Sequence, residues 1–225
     1  MTTYAMGIDM NRCVGCQTCV VACQLNHGTP PGIAWNSVDA IEWGRWPECG
    51  RAYFSHACYH CDDPLCVVVC PTGASAKCEN GIVGVNQDLC IGCGVCLTAC
   101  QYGARSLPKG ESYFFAQGSP APYEAYHGQP SGVAQKCDFC QERIAHGQQP
   151  WCVESCFCGA RVFGDLDDES SPICTFITEQ NPQHVTGTAL YYAGVPEAWD
   201  LQSAATNDYY KPGLVGVEKQ AEKQG

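Results

Sequence analysis

The sequence predicts an α+β protein built from two similar cysteine-rich modules, one of which is split around the other. Three observations lead to this prediction. Sixteen of the 20 cysteines fall into four groups of four, and two of these groups repeat each other along the chain. A short linker joins the second group to the third, which leaves the first and fourth as an outer pair. Long irregular loops connect the modules, and a tail ends the chain.

Cysteine content separates two broad classes of protein. With 20 cysteines in 225 residues, the chain is either a disulfide scaffold or a metal or cluster protein. Disulfide scaffolds are usually shorter than ~80 residues because bridges replace a core, whereas 45% of this chain is hydrophobic. Cysteines two residues apart are poorly placed to bridge each other but can share a metal. The composition therefore favours ligation over disulfides.

The charge and hydropathy of the chain exclude two further classes. Its 12 basic and 23 acidic side chains give a formal net charge of -11, which argues against nucleic acid as a partner. No apolar run approaches the ~18 residues of a membrane helix, and the start "MTTYAMGIDM" has no features of a signal peptide. We therefore expect no direct membrane span and no signal peptide of its own.

The four cysteine groups have a regular arrangement. They are, in order, Cys13, Cys16, Cys19 and Cys23; Cys58, Cys61, Cys66 and Cys70; Cys90, Cys93, Cys96 and Cys100; and Cys137, Cys140, Cys152 and Cys156. "GIDMNRCVGCQTCVVAC" from Gly7 aligns with "GVNQDLCIGCGVCLTAC" from Gly84, which indicates an internal duplication. Groups two, three and four are each followed at the same distance by a Gly-Ala pair. The chain therefore contains copies of one unit.

The spacing of groups one and three, C-x2-C-x2-C-x3-C, is the bacterial [4Fe-4S] pattern. In two-cluster ferredoxins the fourth cysteine of each run ligates the other cluster, so the groups must work in pairs. Only 19 residues separate Cys70 from Cys90, and among them "ASAKCENGIVGV" predicts a hairpin closed by a two-residue turn at Asn80-Gly81. Groups two and three thus form one bacterial-ferredoxin-like module, and groups one and four form the other.

These pairings define the predicted domains. The outer module comprises residues 1–27 plus 137–181, and the inner module comprises residues 58–105. Residues 28–57 and 106–136 are predicted connecting loops. Residues 182–225 are a predicted tail whose aromatic side chains either contact a partner or pack on the chain's own modules.

Four ligand sets follow from the exchange of the fourth cysteines. They are Cys13, Cys16, Cys19 with Cys156; Cys137, Cys140, Cys152 with Cys23; Cys58, Cys61, Cys66 with Cys100; and Cys90, Cys93, Cys96 with Cys70. The nearby glycines Gly15, Gly92 and Gly94 allow backbone N–H groups to turn toward cluster sulfur. Four cations close to the groups, Lys77, Arg105, Lys136 and Arg161, would offset part of the negative charge of the clusters.

Some of these residues allow other interpretations. Group four alone resembles a zinc loop, although group one needs a partner for the exchange. Cys158 lies two residues past a ligand position and could replace Cys156, but a buried unreactive thiol is the simpler interpretation, and Cys49, Cys78 and Cys174 have no spaced partners. For His56 and His60, hydrogen bonding or partner contact is favoured over a Rieske-like site. No motif of a nucleotide-binding or hydrolase site is present.

The second group, "HACYHCDDPLCVVVCPTGA", and the fourth, "QKCDFCQERIAHGQQPWCVESC", closely resemble the four-cluster iron-sulfur subunits of the dimethyl sulfoxide reductase family of molybdenum and tungsten oxidoreductases. The resemblance covers residues 4 to about 194. It implies electron transfer without a catalytic site of its own, and docking on a large catalytic subunit that carries a Mo or W bis-pterin cofactor. The other electron partner would be a membrane quinone-reactive subunit or another carrier, and the alternative is a free soluble polyferredoxin.

The same resemblance implies that the cluster of Cys13, Cys16, Cys19 and Cys156 lies nearest the catalytic subunit. It also implies one of two locations. The chain is either carried to the extracytoplasmic face of a prokaryotic membrane by a signal-bearing partner or works in the cytoplasm. The substrate of the catalytic partner does not follow from the sequence.

Overall fold

The computed structural model describes residues 2–110, 113–114, 120–122, 125, 131–197 and 199–206. Within these residues short helices and strands alternate in an α+β arrangement. The strands are β1 (Tyr4–Asp9), β2 (Asn36–Arg45), β3 (Glu48–Ala57), β4 (Ser75–Lys77), β5 (Val83–Val85), β6 (Arg161–Asp165), β7 (Gln183–His184) and β8 (Leu190–Ala193). The helices are α1 (Thr18–His27), α2 (Leu65–Val68), α3 (Val95–Ala99), α4 (Gln141–Ala145), α5 (Trp151–Glu154), α6 (Pro172–Gln180) and α7 (Leu201–Thr206).

A four-stranded sheet brings the two ends of the chain together. Its strand order is β6-β1-β8-β7. β1 pairs antiparallel with β6 and parallel with β8, and its side chains are almost wholly buried. Because β1 leads into group one and β6 follows group four, this pairing places the outer groups side by side.

Helix α1 positions two cysteines of group one. It begins after Gln17, which has a left-handed backbone (φ 62°), and ends at Gly28 (φ 55°), whose N–H donates to the Gln24 carbonyl. A glycine at this place is a common way to end a helix. Cys19 and Cys23 are four residues apart and therefore share one face, which is buried and packs on α5.

The predicted hairpin between groups two and three is present, with a longer turn than expected. β4 and β5 pair antiparallel from Ser75↔Val85 to Lys77↔Val83. Beyond them, Cys78 N–H donates to the Ile82 carbonyl at 2.8 Å, so three residues rather than two form the loop. Asn80 Oδ1 accepts a bond from Ile82 N–H, and Gly81 has a φ of 81°. The prediction of a two-residue Asn-Gly turn was wrong because the side-chain bond of Asn80 widens the turn.

Much of the predicted connecting loop 28–57 is regular structure. β2 and β3, of ten residues each, form a hairpin whose turn is Trp46-Pro47. Its base is buried, with Val38 and Phe54 in the core, whereas the end near the turn is exposed. The burial alternation of β2 breaks between Val38 and Ile41, and that break hides the strand period in the sequence.

The predicted tail also begins inside the fold. β8 lies between β1 and β7, and Tyr192 is fully buried, with its hydroxyl donating to the Ser55 carbonyl at 2.9 Å. Residues 183–193 therefore pack on the chain's own modules, which was the alternative to partner contact. Residues 207–225, and most of residues 111–130 within the predicted loop 106–136, lie outside the described residues.

The largest of three hydrophobic clusters in the described residues includes Met6 and Ile8 of β1, Phe54 of β3, and Tyr59 and Phe139 from the loops of groups two and four. Within the described residues, no helix is both long and apolar enough to cross a membrane.

Candidate metal centres

The first set of thiols lies deepest in the protein. Cys23 from α1, Cys137, Cys140 and Cys152 line one small cavity. Burial, and then the neighbouring thiolates of Cys137, Cys152 and Cys140, raise the pKa of Cys23 well above its usual value. Burial and Cys152 raise the pKa of Cys140 to about 12. Thiols that disfavour ionisation so strongly need a cation or cluster to hold them as thiolates.

A second set lies near the surface. Cys70, Cys90, Cys93 and Cys96 line another small cavity. Two backbone N–H groups point at its sulfurs: Ser75 N–H at 3.4 Å from Cys70 Sγ, and Ala134 N–H at 3.3 Å from Cys90 Sγ. The bond from Ser75 is the main reason that the pKa of Cys70 falls to about 7. Cys70 therefore favours the thiolate form that a cluster ligand needs.

The third set surrounds Cys61. Burial, and then the thiolates of Cys58, Cys100 and Cys66, raise the pKa of Cys61 to about 12. Burial is also the largest cause of the raised pKa of Cys66, and Cys58 and Cys100 add to it. The structure thus brings the last cysteine of group three to the first three of group two.

The fourth set joins group one to group four. Burial raises the pKa of Cys13, the Gly15 N–H bonded to its sulfur lowers it, and Cys19 and Cys156 raise it again. Cys16 is exposed and bonds to Thr18 Oγ1 at 3.3 Å. Burial, and then the thiolates of Cys156 and Cys16, raise the pKa of Cys158, so this fifth thiol lies beside the set.

Two of the four predicted cations reach sulfur. Arg105 is buried and its Nη2 donates to Cys66 Sγ at 3.0 Å. Arg161 is buried and bonds to the Cys152 thiol. Lys136 instead donates to the carbonyls of Val83 and Cys137. Lys77 bonds to the carbonyl of Asp62 at 2.9 Å and pairs with its carboxylate. These two lysines stabilise loops beside the thiols.

The three predicted glycines all have positive φ, at 67° for Gly15, 69° for Gly92 and 75° for Gly94. A side chain at Gly15 would meet the Tyr53 ring, and one at Gly92 would meet the Gly132 carbonyl oxygen at 2.1 Å. Gly94 has open space around it. Two of the three therefore allow close packing against the cysteine loops as well as the backbone turn.

The two histidines beside Cys58 have different roles. His56 bonds to Ser37 and Asp39 inside the β2–β3 hairpin, at 2.8 Å to each. His60 is buried, and its Nδ1 accepts the Val83 N–H at 3.0 Å. Burial, and then Lys136, Arg105 and Lys77, hold the pKa of His60 well below its usual value. A neutral His60 therefore carries its proton on Nε2.

The residues around the thiols fit iron-sulfur clusters. Each set brings together four thiols, which is the number of sulfur ligands that a [4Fe-4S] cluster takes. Two buried donors, His60 Nε2 and Arg105 Nε, have no hydrogen-bond partner among the described residues. Buried donors are rarely left unpaired, and the sulfides of a cluster are acceptors.

Sequence reasoning missed several contacts. His27 Nε2 lies 3.5 Å from Cys140 Sγ, and its ring packs on Trp35 with centroids 4.2 Å apart. Phe139 lies between two cysteines of group four and is buried. The place of His27, four residues after Cys23 on α1, was a signal for the first contact. Of the other cysteines, Cys49 and Cys78 are exposed, and Cys174 bonds to the carbonyls of Asp165 and Leu166.

Sixteen thiols in four sets, with donors directed at sulfur, define an iron-sulfur protein of the ferredoxin type. Family models agree with this class. One described as a 4Fe-4S dicluster domain matches residues 111–166, and one described as a 4Fe-4S binding domain matches residues 83–106.

Relatives narrow the class to one family. The chain is 35% identical to a subunit of the tetrathionate reductase of Salmonella typhimurium, over 87% of this chain and 74% of the relative. It is 34% identical to the arsenate respiratory reductase iron-sulfur subunit of a Shewanella species, over 83% and 94%. It is 36% identical to one of the chains of the anaerobic dimethyl sulfoxide reductase of Escherichia coli, over 74% and 76%. The protein belongs to the iron-sulfur electron-transfer subunits of the dimethyl sulfoxide reductase family.

Proposed function

We propose that the chain relays electrons through four [4Fe-4S] clusters between a catalytic subunit with a Mo or W bis-pterin cofactor and a second partner. That partner is a membrane quinone-reactive subunit or another carrier. The observation that carries this proposal is the convergence of sixteen thiols into four sets of four. Each cluster, when bound, accepts and releases one electron, and the protein supplies ligands, hydrogen bonds and burial.

The proposed ligands are the four sets predicted from the sequence. Two sets line single cavities, and the mutual effects of the thiolates on pKa support the other two. In every set, one cysteine comes from the partner group, as in two-cluster ferredoxins. Two contacts between distant segments also support a split outer module: β1 pairs with β6, and α1 packs on α5.

Contacts between the sets support an order along a row. Arg161 lies near Cys19 and Cys152, so the set of Cys13 neighbours the set of Cys137. Rings from the group two and group four loops stack, so the set of Cys58 comes next. Arg105 connects that set to the set of Cys70. The first and last sets in this order contain the exposed Cys16 and Cys93, where electrons can enter and leave.

Apolar side chains surround both ends of the row. Val14 and Phe157 are exposed beside the set of Cys13, and Ile91 and Val95 are exposed beside the set of Cys70. Exposed apolar groups of this kind are typical of protein interfaces. Two such ends suit a relay with two partners better than a freely diffusing carrier. The relatives named above are subunits of reductases, which supports a catalytic partner for this chain as well.

Metal analysis of the protein purified without oxygen, together with whatever adheres to it, tests this function. About 16 iron atoms per chain, with Mo or W in an attached large subunit, is the expected result. Iron alone with no attached protein would favour a free polyferredoxin. Zinc in place of iron would overturn the proposed clusters altogether.

A further inference from the structure

We propose that Arg105 and Arg161 are each shared by the two clusters of one module, so that each guanidinium raises the reduction potentials of both neighbouring clusters together. This inference rests on the ligand sets proposed above. It assigns the two arginines a role as positioning and electrostatic residues for a pair of clusters, rather than as general neutralising charges.

Arg105 lies between the two sets of the inner module. Its Nη2 is 3.0 Å from Cys66 Sγ, and its side chain also bonds to Cys96. Cys66 belongs to one proposed cluster and Cys96 to the other. Nη1 donates to Ser75 Oγ at 2.8 Å, which fixes the guanidinium plane, while Nε has no partner among the described residues. One side chain therefore reaches ligands of two clusters.

Arg161 has the corresponding position in the outer module. It lines the same cavity as Cys152 and the other three thiols of that set, and it interacts electrostatically with Cys19 of the neighbouring set. The guanidinium is held by Asn36 and Ser55 at the base of the β2–β3 hairpin, and by Met6 Sδ at 3.3 Å. Its position is thus fixed by three elements outside the cysteine loops.

The two arginines occupy equivalent places in the repeated sequence. Each follows a cysteine group by five residues and comes directly after a Gly-Ala pair, in "CQYGAR" and "CFCGAR". The glycines of these pairs, Gly103 and Gly159, have nearly the same φ, 60° and 59°. After group two the same place is taken by Ser75, which is the residue that Arg105 binds. The same backbone turn, at Gly103 and at Gly159, therefore places an arginine side chain between the two thiol sets of each module.

A buried guanidinium in this position affects both clusters in the same direction. A guanidinium stays protonated and charged in proteins, even where it is buried. Reduction adds one negative charge to a cluster, and a nearby positive charge in a low-dielectric interior stabilises the reduced form. A cation between two clusters does so for both.

The proposal is tested by a redox titration of the complete cluster-loaded protein without oxygen, in which electron paramagnetic resonance monitors each cluster. Arg105→Met should lower the midpoint potentials of two clusters and leave the other two unchanged, and Arg161→Met should lower the complementary two. Signals are assigned with Cys93→Ser and Cys16→Ser, which alter one end cluster each. Lys77→Met is the matched control, because Lys77 is a partly exposed cation paired with Asp62 and its removal should shift no potential comparably.

A shift of one cluster only, of none, or of all four equally would overturn the sharing. Buried Arg161 also ties the hairpin to the site, so Arg161→Met could prevent folding. Arg161→Lys and Arg105→Lys keep the charge but lose the planar guanidinium with its five donors, and they should produce smaller shifts in the same cluster pairs. Iron content distinguishes failure of this proposal from failure of the proposed function. Wild-type protein without four clusters would contradict the proposed function. Four clusters whose potentials do not change in the arginine variants would contradict only the role of the arginines.

Discussion

His60 stacks on Phe139 with ring centroids 3.8 Å apart and ring planes inclined by 26°. The two residues have the same place in their motifs, directly before the second cysteine of groups two and four. Both have positive φ, 45° and 58°, and both are buried. The stack therefore joins the loop of one proposed cluster to the loop of another, across the boundary between the inner and outer modules.

Phe139→Ala should destabilise the protein by about 3–5 kcal/mol, because it removes a fully buried ring that packs on His60 and on Phe163. We expect a lower midpoint temperature for the cluster-loaded protein, measured by circular dichroism without oxygen. The matched variant His60→Phe keeps the stack but leaves the Val83 N–H without its acceptor, at a cost of about 1–3 kcal/mol. Equal melting of Phe139→Ala and wild type would contradict a structural role for this junction.

Cys23→Ser should alter the cluster held by Cys137, Cys140 and Cys152, and not the cluster held by the three cysteines that precede Cys23 in group one. The reason is the place of Cys23 in the cavity of the group four thiols. Electron paramagnetic resonance should show the loss or conversion of one cluster. Cys19→Ser should affect a different cluster. If both variants change the same signal, the proposed exchange of fourth cysteines is wrong.

Cys158→Ser should retain about 16 iron atoms per chain, whereas Cys156→Ser should lose iron. Cys158 lies beside the set of Cys13, but Ala160 N–H points at Cys156 Sγ, at 3.3 Å. A donated hydrogen bond is typical of a cluster ligand. Iron and sulfide analysis of the two variants checks this assignment. Loss of iron from Cys158→Ser with retention in Cys156→Ser would exchange the two roles.

The sequence was most informative where chemistry constrains spacing. Ligand spacing and the duplication predicted which thiols should come together, since a fixed cluster needs fixed intervals. The hairpin after group two was also predictable from Asn80-Gly81. The β2–β3 hairpin was not, because Gly44, Pro47 and Gly50 interrupt its pattern. A signal was nevertheless present in the opposite charges of Glu42 and Arg51, which face each other across the strands.

Contacts between distant segments were beyond sequence reasoning. The parallel pairing of β8 with β1 leaves only a short apolar stretch, "ALYYAG", in a region otherwise rich in polar residues. The position of Arg105 between two sets also depends on its bond to Ser75, which lies 30 residues earlier in the chain and cannot be inferred from the position of the arginine. Such long-range contacts follow from tertiary packing rather than from local pattern.

Gly92→Ala should be far more damaging than Gly94→Ala, although both glycines have positive φ. At Gly94 the cost is the left-handed backbone alone, about 1–2 kcal/mol, because a Cβ meets nothing within 4 Å. At Gly92 the Cβ would also lie 2.1 Å from the Gly132 carbonyl oxygen. The segment after Gly132 would have to move, and with it Ala134 N–H, which donates to Cys90 Sγ. Melting temperature and iron content should fall together for Gly92→Ala, and similar values for the two variants would contradict this account.

Phe157→Asp should weaken attachment of the catalytic subunit, whereas Ile91→Asp should leave it attached. Phe157 is 74% exposed and directly follows Cys156, and Ile91 is 68% exposed between Cys90 and Cys93. The two side chains thus mark opposite ends of the proposed row, and a buried charge at an interface core is costly. Since both are exposed, neither change should lower the melting temperature appreciably. Co-purification from the native host, with Mo or W content as the readout, checks the outcome. Loss of the large subunit from Ile91→Asp, with retention in Phe157→Asp, would mean that the catalytic subunit binds at the opposite end of the row, beside the set of Cys70.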